Sequence, residues 1–335
     1  MEIAAHALIP VVESSQPSAV RFAARDLAGR IGFAEADSYR AGLVATELAT
    51  NLVKHARGGE VLLRKSGTEP ELEMLAIDHG PGIANLSMSF EDGRSTTGTS
   101  GIGLGGARRM SDEFDIYSAI PHGTVVLARI RPRGSAVPPP LHFNVSGLSV
   151  AKSGELECGD AWTLNVGGDG FSAFIADGLG HGHFAAQAAS AAVLAAASGM
   201  TRGGCAKTLE AVHDGLRHTR GAAAALAEVA LGRRVMTFAG VGNIGASIVT
   251  NGSIRHAVSH NGTLGHQARL FREYTYPWPA QSLLVMHSDG LGTQWSLATY
   301  PGLGVRHPAV IAGVLYRDFK RGRDDVTVVV AREAV

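Results

Sequence analysis

Cysteine is nearly absent from this chain: Cys158 and Cys205 are the two in 335 residues. So few cannot staple a small secreted fold, which excludes a disulfide framework and predicts a reducing compartment. Excess charge of either sign is also missing. Lys plus Arg and Asp plus Glu each number 30, for a formal net charge of zero, so no field draws in a nucleic acid or an anionic membrane. Long apolar runs are absent too. The longest stretch of small apolar residues, Ala188 to Ala197, is too short to span a bilayer. The N-terminus has Glu2 and Glu13 in place of the cationic start and apolar core of a signal peptide. A cytoplasmic protein with neither nucleic acid nor membrane as partner is the expectation.

What is present is length enough for two domains, a 45% hydrophobic fraction and 43 glycines. High glycine predicts many tight turns and places where backbone approaches a ligand. The stretch Arg131-Pro-Arg-Gly-Ser-Ala-Val-Pro-Pro-Pro140 can continue neither a helix nor a central strand and reads as a semi-rigid spacer. The expected division is a domain at 1–132, a Pro-rich linker at 133–143 and a domain at 144–335.

Before the linker, Ser18 to Arg30 and Ser38 to Ala56 read as helices. Glu60 to Arg64, Glu71 to Asp78 and Gly123 to Ile130 read as strands, and Gly103 to Ser111 should open a helix. The sum is an α/β sandwich (α+β in its mostly antiparallel sheet) with helices on one face. After the linker, strand-like runs dominate: 162–166, 172–176, 234–238, 245–250, 282–287 and 325–331. Ala-rich helices near 183–197 and 205–219 interrupt them. Two sheets flanked by helices, an αββα sandwich, is the expected arrangement.

Three elements of the first half carry chemistry. Glu47, Asn51 and His55 recur every four residues and share a helix face. That face is either a solvated stripe or a site in which Asn51 gives a carbonyl oxygen to Mg²⁺ and Glu47 acts as a base. Asp78-His-Gly80-Pro-Gly82 follows an apolar strand and reads as a plain turn, or as a carboxylate placed to accept from an exocyclic amine beside a flat base. Thr96 to Met110 is a glycine- and hydroxyl-rich loop running into a helix, whose N–H groups suit phosphates. No Gly-Lys-Ser/Thr follows it, so it is not a Walker A loop, and no strand precedes it, so it is not a dinucleotide fold.

In this order the three elements resemble the ATP-binding family shared by gyrases, chaperones, histidine kinases and anti-sigma-factor kinases, over roughly residues 15 to 130. The branch they resemble is that of RsbT, the stressosome serine/threonine kinases, through Glu91-Asp-Gly-Arg-Ser-Thr-Thr-Gly and Met110-Ser-Asp-Glu-Phe-Asp-Ile-Tyr117. The resemblance implies ATP and Mg²⁺ as cofactors, Glu47 as general base and Asn51 as Mg²⁺ ligand. It implies Asp78 as the adenine-reading carboxylate with Gly80 and Gly82 at its turn, Gly101, Gly103 and Gly105 in the phosphate lid, and Thr124 beside the adenine. No helical hairpin with a phospho-accepting His precedes the site, and no second domain supplies a lysine, which argues against histidine-kinase and gyrase-like readings.

The second half scatters Asp160, Asp177, Asp289, Asp324 and Asp325 at predicted strand ends and turns. Each Asp-Gly alone reads as a turn. Together, clustered carboxylates repel unless cations neutralise them, and hard divalent ions are the usual solution. The order, with Ala176-Asp-Gly-Leu-Gly-His-Gly182, His287-Ser-Asp-Gly290 and Arg323-Asp-Asp-Val-Thr327, resembles the type 2C metal-dependent serine/threonine phosphatases in their SpoIIE and RsbX branch, over roughly 145 to 333. That resemblance implies two Mn²⁺ or Mg²⁺ ions. Asp160, Asp177 and the Gly178 carbonyl serve one side, Asp289 with Asp324 or Asp325 the other, and a water activated between them is the nucleophile. His181 is either a proton donor to the leaving oxygen or a packing residue. Little sequence precedes Gly159, so the first strands look abbreviated. Gly240-Val-Gly-Asn-Ile-Gly245 matches the dinucleotide fingerprint but is followed by a strand-like run, so it reads as a turn.

The expected function is a bifunctional switch. One half phosphorylates a Ser or Thr of a STAS-domain regulator (RsbS- or RsbR-like) in a partner-switching pathway that ends at a sigma factor, and the other half removes the phosphate. The alternative is an ATP-dependent binding module, sequestering such a partner, fused to an active phosphatase.

Overall fold

The computed structural model of the chain describes residues 2–3, 5–90, 103–136, 142–200 and 203–334. They form two compact units. One gathers Met1–Ala5, Pro139–Gly304 and Asp318–Val335, and the other gathers His6–Pro138 and Val305–Arg317. Residues 137–141 of the expected linker 133–143 lie outside the described ones. The exchange of segments was not expected. The first residues of the chain count with the C-terminal unit, and a short stretch after residue 304 counts with the N-terminal one.

The first half runs β1 (Glu2–Ile3), β2 (Ala7–Val11), α1 (Gln16–Arg30), α2 (Glu35–Ala56), β3 (Gly59–Lys65), β4 (Leu72–Ile77), the single turn α3 (Leu86–Ser89), α4 (Gly103–Met110), β5 (Glu113–Ala119) and β6 (Gly123–Ile130). An antiparallel sheet in the order β2-β3-β4-β6-β5 forms the N-terminal unit. Period-two alternation points Val61, Leu63, Met74, Ala76, Val126 and Ala128 at one face, where Val20, Ala24, Val44, Leu48 and Leu52 of α1 and α2 close the core. The expected helices and strands are all present: α1, α2 and β3 are longer by one to three residues at an end, β4 and α4 shorter by one, and β6 has the expected bounds.

The second half runs β7 (Phe143–Val150), β8 (Asp160–Gly167), β9 (Gly170–Gly178), α5 (His183–Gly199), α6 (Cys205–Gly215), β10 (Ala222–Ala230), β11 (Val235–Val241), β12 (Gly245–Thr250), β13 (Ser253–His256), β14 (Tyr274–Pro277), β15 (Leu283–His287), α7 (Pro308–Phe319) and β16 (Val326–Glu333). Two sheets stack in the C-terminal unit, ordered β1-β8-β9-β10-β11-β14 and β13-β12-β15-β16-β7. Trp162, Phe171, Ile175 and Phe238 of the first meet Ile248, Leu284, Met286 and Val329 of the second. Ala189, Val193, Leu209 and Val212 of α5 and α6 pack on Phe174, Ala176 and Leu226 on the outer face of the first sheet. Two strands complete the expected set: β7, ahead of β8 in the chain, is an edge strand of the second sheet, and β1 pairs with β8 of the first at Ile3 and Trp162. The Gly240–Gly245 run links β11 to β12, as a turn should. No helix among the described residues is long and apolar enough to cross a membrane.

Candidate active sites

In the N-terminal unit, Asp78 follows the last residue of β4 and is 7% exposed. Its Oδ1 accepts from the backbone N–H of Gly80 at 2.7 Å and of Thr124 at 3.1 Å, while its own N–H donates to the Thr124 carbonyl at 3.0 Å. Oδ2 takes no hydrogen bond among the described residues, so an acceptor remains for a ligand amine. Burial pushes the Asp78 carboxyl above the usual range; the two backbone donors and the charges of Arg317 and His79 pull against that rise. Gly123 makes the approach possible. Its φ is +86°, and a Cβ there would run into the Asp78 carbonyl. Thr124 Oγ1 pairs with Ser118 Oγ at 2.8 Å, and Ser118 also accepts from Ile83 N–H at 2.8 Å, which ties the turn holding Gly82 to β5.

Glu47 and Asn51 sit half-buried one turn apart on α2, and His55 is exposed beyond them. Glu47 Oε2 accepts from the N–H of Gly103, the first residue of α4, at 3.1 Å. The helix N-terminus favours that anion, and it is where phosphates are expected. Gly105 lies against the Phe90 carbonyl, 2.5 Å from an added Cβ. Gly101 and the Glu91–Gly98 run lie outside the described residues. Glu47 is thus tied to Gly103 and Asp78 to Thr124, and Gly80 of the Asp78 turn lies against Ala56, at the end of α2 that carries Asn51.

In the C-terminal unit, Asp160 opens β8 and Asp177 lies directly opposite it on β9. Asp160 is 4% exposed and Asp325 3%. Ser288 Oγ donates to Asp160 Oδ2 at 2.6 Å and itself accepts from Thr327 N–H at 2.9 Å. Asp325 Oδ1 accepts from Lys152 N–H at 2.9 Å, and its own N–H donates to Asp324 Oδ1 at 3.0 Å. Asp289 Oδ2 accepts from Asn243 Nδ2 at 2.7 Å. A cleft of about 440 Å³ beside them is lined by Asp289, Gly290, Arg321, Arg323 and Asp324. Gly290 is required for the convergence, since a Cβ there would strike the Asp325 carbonyl.

The electrostatics of this cluster are those of crowded acids. Burial, then the charges of Asp160, Asp289, Asp324 and Asp325, push Asp177 up to about 9. Burial first, with Asp325 and Asp324 adding and Ser288 opposing, raises Asp160 to about 7. Asp289 and Asp325 are raised by burial as well, each with Asp324 adding. Two carboxylate oxygens, Asp160 Oδ1 and Asp325 Oδ2, are buried with no hydrogen-bond partner. Unpaired buried acceptors are costly, and an oxygen-seeking divalent ion satisfies them. Among the described residues no three such side chains already close a cage around one point. The donor set still fits hard cations, because repelling carboxylates draw in only when a cation neutralises them.

His181 Nδ1 lies 2.6 Å from Glu155 Oε1, and His183 Nδ1 3.1 Å from Glu157 Oε2. Both histidines are exposed. Ser288 and Thr327 lie inside the motifs quoted above, but their bonding to Asp160 and to each other was not foreseen; Asn243 and Glu155 are common polar residues with no spacing signal.

Over 112 residues the chain is 35% identical to the serine/threonine-protein kinase RsbT of Bacillus subtilis (strain 168), covering 33% of this chain and 84% of the relative. The chain belongs to the RsbT family. Residues 12–130 match the histidine kinase-like ATPase domain, and residues 167–333 match the stage II sporulation protein E (SpoIIE) family. A chain solved in work on the bacterial stressosome, a modular system adapted to control secondary messenger signalling, is 30% identical. It covers 57% of this chain and 99% of its own length at a TM-score of 0.52. The magnesium complex of RsbX covers 59% of this chain and 99% of its own, at 19% identity and a TM-score of 0.50, a likeness of fold. The protein is thus a fusion of an RsbT-like ATPase-fold kinase domain with a SpoIIE-type domain, each aspartate of the expected metal set lying in the second half.

Proposed function

We propose that the chain is a two-way switch enzyme of a partner-switching pathway, acting on STAS-domain regulators of the RsbS and RsbR kind in the cytoplasm. The RsbT-like half transfers the γ-phosphoryl of Mg²⁺–ATP to a Ser or Thr, and the SpoIIE-like half hydrolyses the product. The observation that carries the reading is the pairing of two unlike sites on one polypeptide. One is a carboxylate held by two backbone N–H groups with an oxygen to spare. The other is an aspartate cluster with two orphaned buried oxygens.

In the first site Asp78 accepts the adenine amine, with Gly80 and Gly82 letting the turn pass a flat base. Asn51 is the side-chain oxygen for Mg²⁺, Gly101, Gly103 and Gly105 line the phosphates, and Glu47 takes the hydroxyl proton of the substrate. In the second, Asp160, Asp177 and the Gly178 carbonyl, with Asp289 and Asp324 or Asp325, would hold Mn²⁺ or Mg²⁺. Bound there, the ions supply charge that acidifies water and offsets the phosphate. His181, oriented by Glu155, is aimed to give a proton to the departing serine or threonine oxygen.

One observation favours a second reading, in which the ATP half only sequesters a partner: the Glu47 carboxylate is engaged by Gly103 N–H rather than standing free as a base. Transfer of label from ATP to STAS-domain proteins separates the two. Phosphotransfer by the wild-type chain supports the kinase; ATP-dependent binding without transfer refutes it.

A further inference from the structure

The N-terminal sheet is buried on both faces. Opposite the α1–α2 core, alternation places Leu62, Leu75, Ile77, Val125 and Leu127, each at most 2% exposed. The cover within this unit is α7. Every residue from Pro308 to Arg317 is buried. Gly313 comes so close that a Cβ would lie 2.8 Å from Val125 Cγ1 and 3.8 Å from Ile77 Cδ1. The start of the helix is clamped to β5. His307 N–H donates to Asp115 Oδ2 at 2.6 Å, Arg306 Nη1 lies 3.3 Å from Asp115 Oδ1, and His307 Nε2 lies 3.5 Å from Glu113 Oε1. Towards its end, the Tyr316 hydroxyl bonds Glu60 on β3, and Arg317, 2% exposed, donates from Nη1 to the backbone carbonyl of Asp78 at 3.4 Å.

We propose that Arg317 is a positioning residue for Asp78, so that recognition of the nucleotide base depends on a side chain 239 positions further along the chain. The proposal rests on the reading of Asp78 as the base acceptor. A guanidinium stays charged when buried, and it sits behind a carboxylate that burial drives towards its neutral form. The groups facing Asp78 are Arg317 from α7, His79 from its own turn, the Gly80 N–H and the Thr124 N–H of β6. As a carboxylate, Asp78 is acceptor-only and suits an exocyclic amine; as a neutral acid it gains an O–H donor and suits a carbonyl instead. Arg317 therefore selects an amine-bearing base over a carbonyl-bearing one, and holds the backbone from which that carboxylate projects.

The test uses the full chain and measures ATP and GTP affinity by calorimetry from pH 5 to 8, for wild type, Arg317→Lys, Arg317→Met, Val310→Ala and Asp78→Asn. Arg317→Met should weaken ATP binding about tenfold towards the acid end of that range, where the carboxyl is first lost. It should also narrow the ATP-over-GTP preference and move the acid limb of ATP binding to higher pH. Arg317→Lys should recover most of this. Val310→Ala, which loosens the helix without touching the charge, should lower thermal stability and leave the preference unchanged. An unaltered preference and pH profile in Arg317→Met overturns the proposal, and so does a Val310→Ala variant that mimics it. If Asp78→Asn binds ATP as wild type does, the reading of Asp78 itself fails; if Asp78→Asn loses ATP while Arg317→Met does not, the role of Arg317 alone fails.

Discussion

Removing one acid from the aspartate cluster should raise stability without divalent ions and lower it with them. Asp177 faces Asp160 across β8 and β9, and its carboxyl is raised from 3.8 to about 9. Between those values the folded chain binds a proton that the unfolded chain has released, so stability falls as pH rises through that window. At pH 7 the penalty is about 4 kcal/mol, from ~1.4 kcal/mol per pH unit above 3.8. Asp177→Asn carries no such charge. Because the amide recovers only part of the polar environment, a gain of about 1–3 kcal/mol is expected, or about 3–10 °C for a unit of this size. Saturating Mn²⁺ should stabilise wild type by about 2.7 kcal/mol at a hundred times the dissociation constant and the variant by far less, which reverses their order. The assay is thermal unfolding at pH 7 and 8, in chelator and in Mn²⁺, read by tryptophan fluorescence. The three tryptophans, Trp162, Trp278 and Trp295, all lie in the C-terminal unit. A variant less stable than wild type in chelator, or one that Mn²⁺ stabilises equally, refutes the reasoning.

The remaining predictions concern both sites. Asn51→Ala should weaken ATP binding about tenfold in Mg²⁺ and little in its absence, by calorimetry, since it removes one oxygen ligand. Glu47→Gln should keep ATP affinity and lose phosphotransfer by about a hundredfold or more, as removal of a general base does. Gly290→Ala should destabilise the C-terminal unit by about 2 kcal/mol, because its methyl meets the Asp325 carbonyl, and should lose Mn²⁺-dependent hydrolysis of a phosphorylated peptide. Wild-type melting and turnover in that variant would show that the strand ends do not need to approach so closely.

Much of this was legible in the sequence because the informative residues obey local rules. Glu47 and Asn51 are four apart on an amphipathic helix; Asp78 follows a strongly apolar strand; Asp177 and Asp289 each precede a glycine, and Asp160 follows one. Those signals survive folding because caps, turns and strand ends are set by nearby residues. What was not legible depends on distant partners. β10 is Ala222–Ala230, six of its nine residues alanine, and alanine favours helices. It becomes a strand because β9 and β11 flank it on both sides, a tertiary override of propensity. β7 and β1 carried no separate signal, yet each supplies an edge strand. The apolar helix α7 reads equally well as a core helix of either half, and nothing local ties Arg317 to Asp78. The supports of the acids, Ser288 and Thr327, are chosen by geometry between strands far apart in sequence.

The central claim is that two opposed phosphate chemistries act from one chain, and it is tested most directly by following phosphoprotein over time. The chain would be mixed with Mg²⁺–ATP, Mn²⁺ and a STAS-domain partner. The account predicts little phosphorylated partner at steady state for wild type, strong accumulation with Asp177→Asn and none with Glu47→Gln. Equal phosphorylation by wild type and Asp177→Asn, or none by either, would contradict it.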